Sequence, residues 1–131
     1  MTTRSPVEID LARVLCSVAE VQAAGARAFS IGRGDWPLRG VLVCAHGAVH
    51  AYVNRCPHAG HALDLLPGRF LTADGALLLC SSHGALFEKA TGLCVAGPCA
   101  GRALTSVALQ IEGGFVMLAA DVDVAALADL G

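Results

Sequence analysis

The sequence predicts a small, mostly β domain built from antiparallel sheets. Three pairs of short apolar segments are each separated by a two-residue turn signal, which is typical of β-hairpins. Hydrophobic residues make up 55% of the chain, yet no run reaches the roughly 18 apolar residues of a membrane-spanning helix. With 131 residues the chain has the length of one domain.

Two strands around a short helix are predicted near the N-terminus. Residues 13–19 (RVLCSVA) and 27–31 (RAFSI) have the β-branched and aromatic content of strands. Residues 20–25 (EVQAAG) fit a helical turn that ends at its glycine. A polar loop that ends at Trp36-Pro37 follows.

Two further hairpins are predicted, and each leads to a cysteine. Residues 41–53 join VLVCA to AVHAYV through His46-Gly47 and lead to Cys56. Residues 69–80 join RFLTA to ALLLC through Asp74-Gly75 and end at Cys80. An Asp-Gly pair indicates a type I′ turn, because glycine and aspartate tolerate its two positive φ angles.

The C-terminal part is predicted to contain an irregular segment, a third hairpin and a tail. Residues 87–99 (FEKATGLCVAGPC) are rich in glycine and proline and are expected to be irregular. Residues 106–119 form the third hairpin around Gly113-Gly114. The expected organisation is an N-terminal tail (1–12), one domain (13–120) and a C-terminal tail or short helix (121–131).

Charge and cysteine content restrict the classes of partner. The net charge is −2 and the arginines are scattered without a basic stripe, so nucleic acid is not an expected partner. The N-terminus has no apolar signal-peptide core. Six cysteines in such a chain indicate reduced thiols or metal ligands. We expect a cytoplasmic protein that does not bind a membrane.

Cysteine and histidine recur together in two short segments, as Cys56 with His58 and Cys80 with His83. Structural zinc sites usually pair cysteines in one segment and histidines in another, whereas each segment here offers one of each. A two-iron cluster with two cysteines on one iron and two histidines on the other matches this arrangement. A zinc-binding interaction module is the alternative.

The segments CPHAGHALDLLPG and CSSHGALFEKATGLCVAGPC resemble the two cluster-binding boxes of Rieske [2Fe–2S] proteins. The resemblance implies that Cys56, His58, Cys80 and His83 bind one [2Fe–2S] cluster per chain. It also implies a small antiparallel β sandwich or barrel with a cluster-binding subdomain. Gly97-Pro98 resembles the proline loop that covers the cluster in this family.

The resemblance favours a low-potential member of the family. High-potential members carry a disulfide between the boxes, but the matching positions are His61 and Ser82. Their hydroxyl donors to the cluster are also missing, since Ala85 and Phe87 stand at those positions. We therefore expect a reduction potential near the low end of the Rieske range, about −150 mV.

The function implied by the resemblance is that of a ferredoxin, not an enzyme. It would carry one electron from a flavin reductase to a terminal oxygenase or another acceptor. The 48 residues after His83 leave no room for an oxygenase catalytic domain. The alternative is a small Rieske-like subunit of a nitrite reductase or another oxidoreductase complex. The residues expected to cover the cluster or dock partners are Pro57, His61, Gly84, Gly97 and Pro98.

The remaining cysteines and the oligomeric state leave choices open. Cys94 and Cys99 flank the expected proline loop and lie near enough in sequence to meet, and free thiols are favoured over a disulfide in a reducing compartment. Cys16 and Cys44 are expected to act as small core residues. A monomer is slightly favoured.

Overall fold

The computed structural model describes residues 13–32, 37–57 and 60–128. Within these ranges, nine strands and two short helices are present. In chain order they are β1 (Val14–Ser17), α1 (Val18–Ala24), β2 (Ala26–Ile31), β3 (Leu38–Ala45), β4 (Ala48–Val53), β5 (Leu77–Leu79), β6 (Leu86–Glu88), β7 (Cys94–Ala96), β8 (Leu109–Glu112), β9 (Phe115–Leu118) and α2 (Val124–Ala128).

The strands form three antiparallel sheets of three strands each in the described part of the chain. Their orders are β1-β9-β8, β2-β3-β4 and β5-β6-β7. The mostly β, antiparallel prediction is confirmed, but these sheets do not close into a barrel. The first sheet joins the two ends of the described chain, since β1 pairs with β9.

Strand β3 separates two hydrophobic cores because it is buried on both faces. Val41 and Val43 face one core, whereas Leu38 and Leu42 face the other. Successive side chains of a strand point to opposite sides of the sheet, which explains the nearly continuous apolar sequence of β3. We call the core that contains Val41 the site core, because both loop cysteines of the predicted centre belong to it. The other is the base core.

Helix α1 begins with a capping box formed by the N-cap residue Ser17 and by Glu20 in the first turn. The Ser17 hydroxyl accepts a hydrogen bond from the Glu20 N–H at 3.1 Å, and the Glu20 carboxylate accepts one from the Ser17 N–H at 2.9 Å. This box satisfies two helix donors, so Val18 and Ala19 are helical and not part of the predicted strand. The helix ends at Gly25, as predicted.

Two of the three predicted hairpins are confirmed. Strands β3 and β4 are joined by His46 and Gly47, whose φ angles are +52° and +79°. Strands β8 and β9 are joined by Gly113 and Gly114, also with positive φ. Both turns have the two consecutive positive φ angles of a type I′ turn.

The predicted hairpin over residues 69–80 is wrong in its first strand and its turn type. The two segments share one isolated bridge, Leu71 with Leu78, which is closed by hydrogen bonds from the Leu79 N–H to the Phe70 carbonyl at 2.8 Å and from the Thr72 N–H to the Leu77 carbonyl at 3.0 Å. Asp74 has no positive φ. Its carboxylate accepts hydrogen bonds from the Thr72 hydroxyl at 2.6 Å and the Ala76 N–H at 3.0 Å. This side-chain bonding favours an Asx-type turn over the symmetric type I′ turn.

The segment 87–99 is not irregular throughout, contrary to prediction. Strands β6 and β7 lie within or overlap it and complete the third sheet with β5. Gly92 lies in the turn between them with φ +74°, and an added Cβ there would come within 2.7 Å of the Tyr52 ring. The glycine thus permits close packing of a strand connection against β4.

Of the two possibilities expected for the C-terminal segment, a tail or a short helix, the structure shows a short helix, α2. Its Val124 and Leu127 pack against the base core, and the Asp123 carboxylate accepts a hydrogen bond from the Ala126 N–H at 3.0 Å. Neither helix of the described residues has the length and apolar content to cross a bilayer. The N-terminal tail, Trp36 and Gly131 lie outside the described residues.

Candidate metal centre

Two loops with the same backbone closure carry the predicted cysteine ligands. Loop 1 comprises residues 56–61 and loop 2 comprises residues 80–85. In loop 1 the Cys56 N–H donates to the His61 carbonyl at 2.7 Å. In loop 2 the Cys80 N–H donates to the Ala85 carbonyl at 2.9 Å. The two cysteines therefore occupy the same position relative to the hydrogen bond that closes each loop.

A glycine four residues after each cysteine completes this closure. The Gly60 N–H donates to the Cys56 carbonyl at 2.8 Å, and the Gly84 N–H donates to the Cys80 carbonyl at 3.0 Å. Their φ angles are +73° and +75°, a conformation that glycine adopts without steric cost. The repeated Cys-x-x-x-Gly spacing was the sequence signal for this symmetry, and the sequence reasoning missed it.

The loops bring the thiols of Cys56 and Cys80 together inside the site core. Their exposed fractions are 2% and 1%, and both side chains belong to the same buried cluster. Burial raises the pKa of the Cys80 thiol, although hydrogen bonds from the backbone N–H groups of Ser82 and His83 to its sulfur act in the opposite direction. A thiolate here needs a further positive charge, which a bound metal provides.

Histidine side chains lie at the solvent-facing side of these thiols. His83 is exposed, and its ring stacks on that of His61 with 6.3 Å between the ring centroids. The Ser82 hydroxyl lies 3.1 Å from Nδ1 of each histidine. His61 and Ser82 thus form a polar link between the loops at the positions matched to the disulfide of high-potential Rieske proteins.

The fourth predicted ligand, His58, lies outside the described residues. Among the described residues, no group of three or more histidine, cysteine or acidic side chains surrounds a common metal position. The structure therefore buries Cys56 and Cys80 in the same core and places His83 in the same loop as Cys80. It leaves the position of His58 as a prediction.

A third loop, residues 97–102, covers the two cysteine loops from one side. The Arg102 guanidinium donates to the Pro57 carbonyl in loop 1 at 3.2 Å. Gly97 lies against Ala85 of loop 2, where an added Cβ would come within 2.8 Å of the Ala85 Cα. Gly97 and Pro98 are themselves exposed. The covering of a cluster by Gly97 and Pro98 stays a prediction.

Side chains beside the loops support them, and the sequence reasoning missed these residues. Asn54 accepts from the Leu63 N–H at 2.7 Å and donates to Asp64 at 2.8 Å. Asp64 also accepts from the Gly68 N–H at 3.1 Å. The Ser81 hydroxyl donates to the Leu63 carbonyl at 3.0 Å. The available signal was a small polar residue close to each cysteine.

This set of donors fits a [2Fe–2S] cluster bound by cysteine and histidine. Two sulfurs buried in one core offer thiolate ligands from separate loops, and the exposed His83 ring offers an imidazole on the outer side. Mixed ligation of this kind places thiolates on one iron and imidazoles on the other. The N–H groups directed at the Cys80 sulfur favour its thiolate form.

Comparison with family models identifies the class of protein. Residues 12–113 match the model of the Rieske [2Fe-2S] domain, and the chain therefore belongs to the Rieske family. A protein of this family carries a [2Fe–2S] cluster, and one cluster per chain follows from the single domain. No curated protein sequence matches the chain.

Solved structures with the same fold include ferredoxins and a larger oxygenase. A ferredoxin of Sphingomonas yanoikuyae B1 is 27% identical, with a TM-score of 0.59, over 80% of this chain and 94% of its own. The plasma-membrane Rieske protein PetC3 of Synechocystis PCC 6803 is 22% identical, with a TM-score of 0.60, over 82% of this chain and 98% of its own.

The oxygenase is much longer than this chain. It is the terminal oxygenase of carbazole 1,9a-dioxygenase from Novosphingobium sp. KA1, 24% identical with a TM-score of 0.65. The match covers 80% of this chain but only 28% of the oxygenase chain.

Proposed function

We propose that the protein is a Rieske ferredoxin that carries one electron from a flavin reductase to a terminal oxygenase. The observation that carries this proposal is the pair of cysteines buried in one core at the start of two loops with the same backbone closure, with His83 exposed in the second loop. The likeness to a ferredoxin over nearly its whole length supports a free carrier. In this role the protein has no catalytic residues and works in the cytoplasm.

We assign Cys56, His58, Cys80 and His83 as the cluster ligands. When bound, the cluster supplies reversible uptake of a single electron. The backbone N–H groups of Ser82 and His83 stabilise the Cys80 thiolate, and the buried side chains of the site core exclude water from the sulfurs. His83 provides the solvent-facing edge at which the electron enters and leaves.

The absence of hydroxyl donors supports a low reduction potential. Ala85 and Phe87 are fully buried at positions where a serine and a tyrosine are expected in high-potential members. A hydrogen bond to a charged acceptor contributes about 1.5–3 kcal/mol, so two missing donors stabilise the oxidised cluster. We expect a potential near the low end of the Rieske range, about −150 mV.

The docking surface is proposed to surround the exposed histidine. It contains Pro57, His61, Gly84, Gly97 and Pro98, and the exposed Leu65 and Leu66 extend it. These two leucines are 53% and 54% exposed, and the Leu66 N–H lies 3.4 Å from the Ser81 hydroxyl of loop 2. Small, transient interfaces are typical of redox encounters, and a small apolar rim suits them.

The ligand assignment is tested by iron and sulfide analysis of purified variants. The wild type is expected to contain two irons and two labile sulfides per chain. Cys80→Ala is expected to lose most of both, because the buried sulfur has no replacement. Cys44→Ala is the matched control, since Cys44 is a free, half-buried thiol that packs against the base core. Full cluster content in Cys80→Ala would contradict the assignment.

Electron delivery is tested separately with the carbazole dioxygenase components. The reduced protein is mixed with a terminal oxygenase, its substrate and oxygen, and product formation is compared with that supported by the cognate ferredoxin. We expect measurable turnover that falls when an acidic residue replaces Leu66. A reduced, fully loaded protein that transfers no electron to any such oxygenase would favour a role as a subunit of another oxidoreductase complex.

A further inference from the structure

Two guanidinium groups lie against loop 1, which carries Cys56. The Arg102 side chain donates a hydrogen bond to the Pro57 carbonyl at 3.2 Å. The Arg55 side chain lies against Gly60, where an added Cβ would come within 2.8 Å of its Nη2 atom. Both arginines are exposed, and within the described part of the chain neither forms an ion pair with a carboxylate. Loop 1 therefore presents two positive charges to solvent.

Arg69 is a third exposed cation close to the cysteine loops. Its N–H donates to the Leu66 carbonyl at 3.0 Å, and the Leu66 N–H lies 3.4 Å from the Ser81 hydroxyl of loop 2. Arg69 thus belongs to the segment that carries the exposed Leu65 and Leu66 of the proposed docking surface.

One carboxylate among the described residues lies beside these loops, and hydrogen bonds occupy both of its oxygens. Asp64 accepts from the Asn54 amide at 2.8 Å and from the Gly68 N–H at 3.1 Å. Its single negative charge does not offset the three arginines.

Two other described carboxylates lie at the opposite end of strand β4. This strand runs from the His46-Gly47 turn to loop 1, so the turn marks the end of the sheet away from the cysteines. Glu88 lines a shallow pocket with His46 and Ala76 at that turn. Asp74 accepts a hydrogen bond from the Ala76 N–H at 3.0 Å and lies at the same end.

Helix α1 places two more carboxylates at this remote end. The Gly25 carbonyl at the end of α1 accepts from the Cys44 N–H at 3.0 Å, close to the same turn. Glu20 belongs to this helix, and Glu112 precedes the β8–β9 turn, which accepts a hydrogen bond from the first residue of α1 at 2.8 Å.

The charge of the molecule is therefore separated in space. The last two described carboxylates, Asp121 and Asp123, flank Val122, which is buried in the base core. The chain as a whole has a net charge of −2, yet the face around loop 1 is positive. Surface charge of one sign steers partners of the opposite sign to a docking site and rejects partners of the same sign.

We propose that the face around loop 1 docks a redox partner protein through a patch of aspartate and glutamate side chains on that partner. Arg55 and Arg102 make the charged contacts, Arg69 flanks them, and Leu65 and Leu66 supply the apolar part. A guanidinium carries five N–H donors, so Arg102 keeps donors for a carboxylate while one of them holds Pro57. The inference rests on the proposed function as an electron carrier.

The test compares electron transfer from the reduced, cluster-loaded protein to two acceptor proteins of opposite charge. Plastocyanin, an acidic copper protein, and cytochrome c, a basic haem protein, are mixed with it by stopped flow at increasing salt. We expect the rate with plastocyanin to fall about tenfold between about 10 mM and about 200 mM ionic strength, because salt screens the attraction. The rate with cytochrome c is expected to rise or to stay level.

Three charge variants identify the residues responsible. Arg55→Glu and Arg102→Glu are each expected to slow transfer to plastocyanin about fivefold at low salt and to weaken its salt dependence. Arg55→Lys keeps the charge and is expected to retain most of the rate. Arg27→Glu is the matched control, since Arg27 is an exposed arginine paired with Glu20 beside α1, and a change of less than twofold is expected.

Iron content and reduction potential are measured on every variant, because Arg102→Glu also removes the hydrogen bond to Pro57. Should Arg102→Glu lose its cluster, Arg55→Glu decides, since the Arg55 side chain lies against Gly60 without a hydrogen bond among the described residues. Equal rates for Arg55→Glu and Arg27→Glu would overturn the proposal. Faster transfer to cytochrome c than to plastocyanin at low salt would also overturn it and would indicate a basic partner.

Failure of the underlying carrier role gives a different result. A reduced, fully loaded protein that passes no electron to either acceptor would contradict the proposed function itself. Transfer to both acceptors at rates that do not depend on salt or on Arg55 would retain the carrier role and reject the acidic partner alone.

Discussion

Loops 1 and 2 share one backbone frame but differ in what holds them. Both close through a cysteine N–H and a glycine N–H in the same way. Loop 1 is flanked by side-chain hydrogen bonds from Asn54 and Asp64, whereas loop 2 directs two of its own backbone N–H groups at the Cys80 sulfur. A common frame places both thiols together, while the histidine falls on the third residue of loop 1 and the fourth of loop 2.

Among the substitutions that test the difference between the two loops, Asn54→Ala is expected to cause the largest loss of stability. The substitution removes the acceptor of the Leu63 N–H in a partly buried hydrogen bond, and the Leu63 side chain itself is fully buried. A buried donor left without a partner costs about 1–3 kcal/mol, so we expect a loss of stability in that range, read from urea unfolding of the loaded protein. Gln110→Ala, which removes an exposed hydrogen bond to Glu112, is the control and is expected to change stability by less than about 0.5 kcal/mol. Equal effects of the two substitutions would show that loop 1 does not depend on Asn54.

An intermediate effect is expected from alanine at either loop glycine. Gly60→Ala and Gly84→Ala each force a Cβ into the left-handed conformation, at a cost of about 1–2 kcal/mol. An added Cβ at Gly84 meets no atom within 4 Å, whereas at Gly60 it would come within 2.8 Å of the Arg55 guanidinium. Arg55 is a flexible, exposed side chain, so thermal unfolding is expected to show similar losses, slightly larger for Gly60→Ala. A neutral result at one glycine alone would break the equivalence of the two loops.

The smallest effect is expected from Ser82→Ala, which removes the polar link between the loops. The hydroxyl lies 3.1 Å from the His61 ring, and this contact is exposed. An exposed contact of this kind is expected to contribute no more than about 0.5 kcal/mol. We expect a modestly faster loss of cluster absorbance in the presence of a chelator, with His61→Ala behaving alike. A different result for His61→Ala would mean that Ser82 acts through His83 instead.

The hairpins show which parts of the fold could be predicted locally. His46-Gly47 and Gly113-Gly114 occupy turns whose geometry depends on nearest neighbours, and both predictions are confirmed. The prediction of a strand over residues 69–73 was wrong for two reasons. The Asp74 carboxylate accepts hydrogen bonds from Thr72 and Ala76, and β5 pairs with β6. Strands β6 and β7 were missed because their three-residue lengths carry almost no periodic signal. Long-range pairing forms these strands.

The two cysteine–histidine pairs and the family to which they belong were determined by the sequence alone, since ligand chemistry depends on residue type and spacing. The burial of both thiols in one core and the Asn54 and Ser81 supports were decided only by the tertiary structure. These contacts join residues that are distant in the chain, and no local pattern records which loops the packing of the three sheets will bring together.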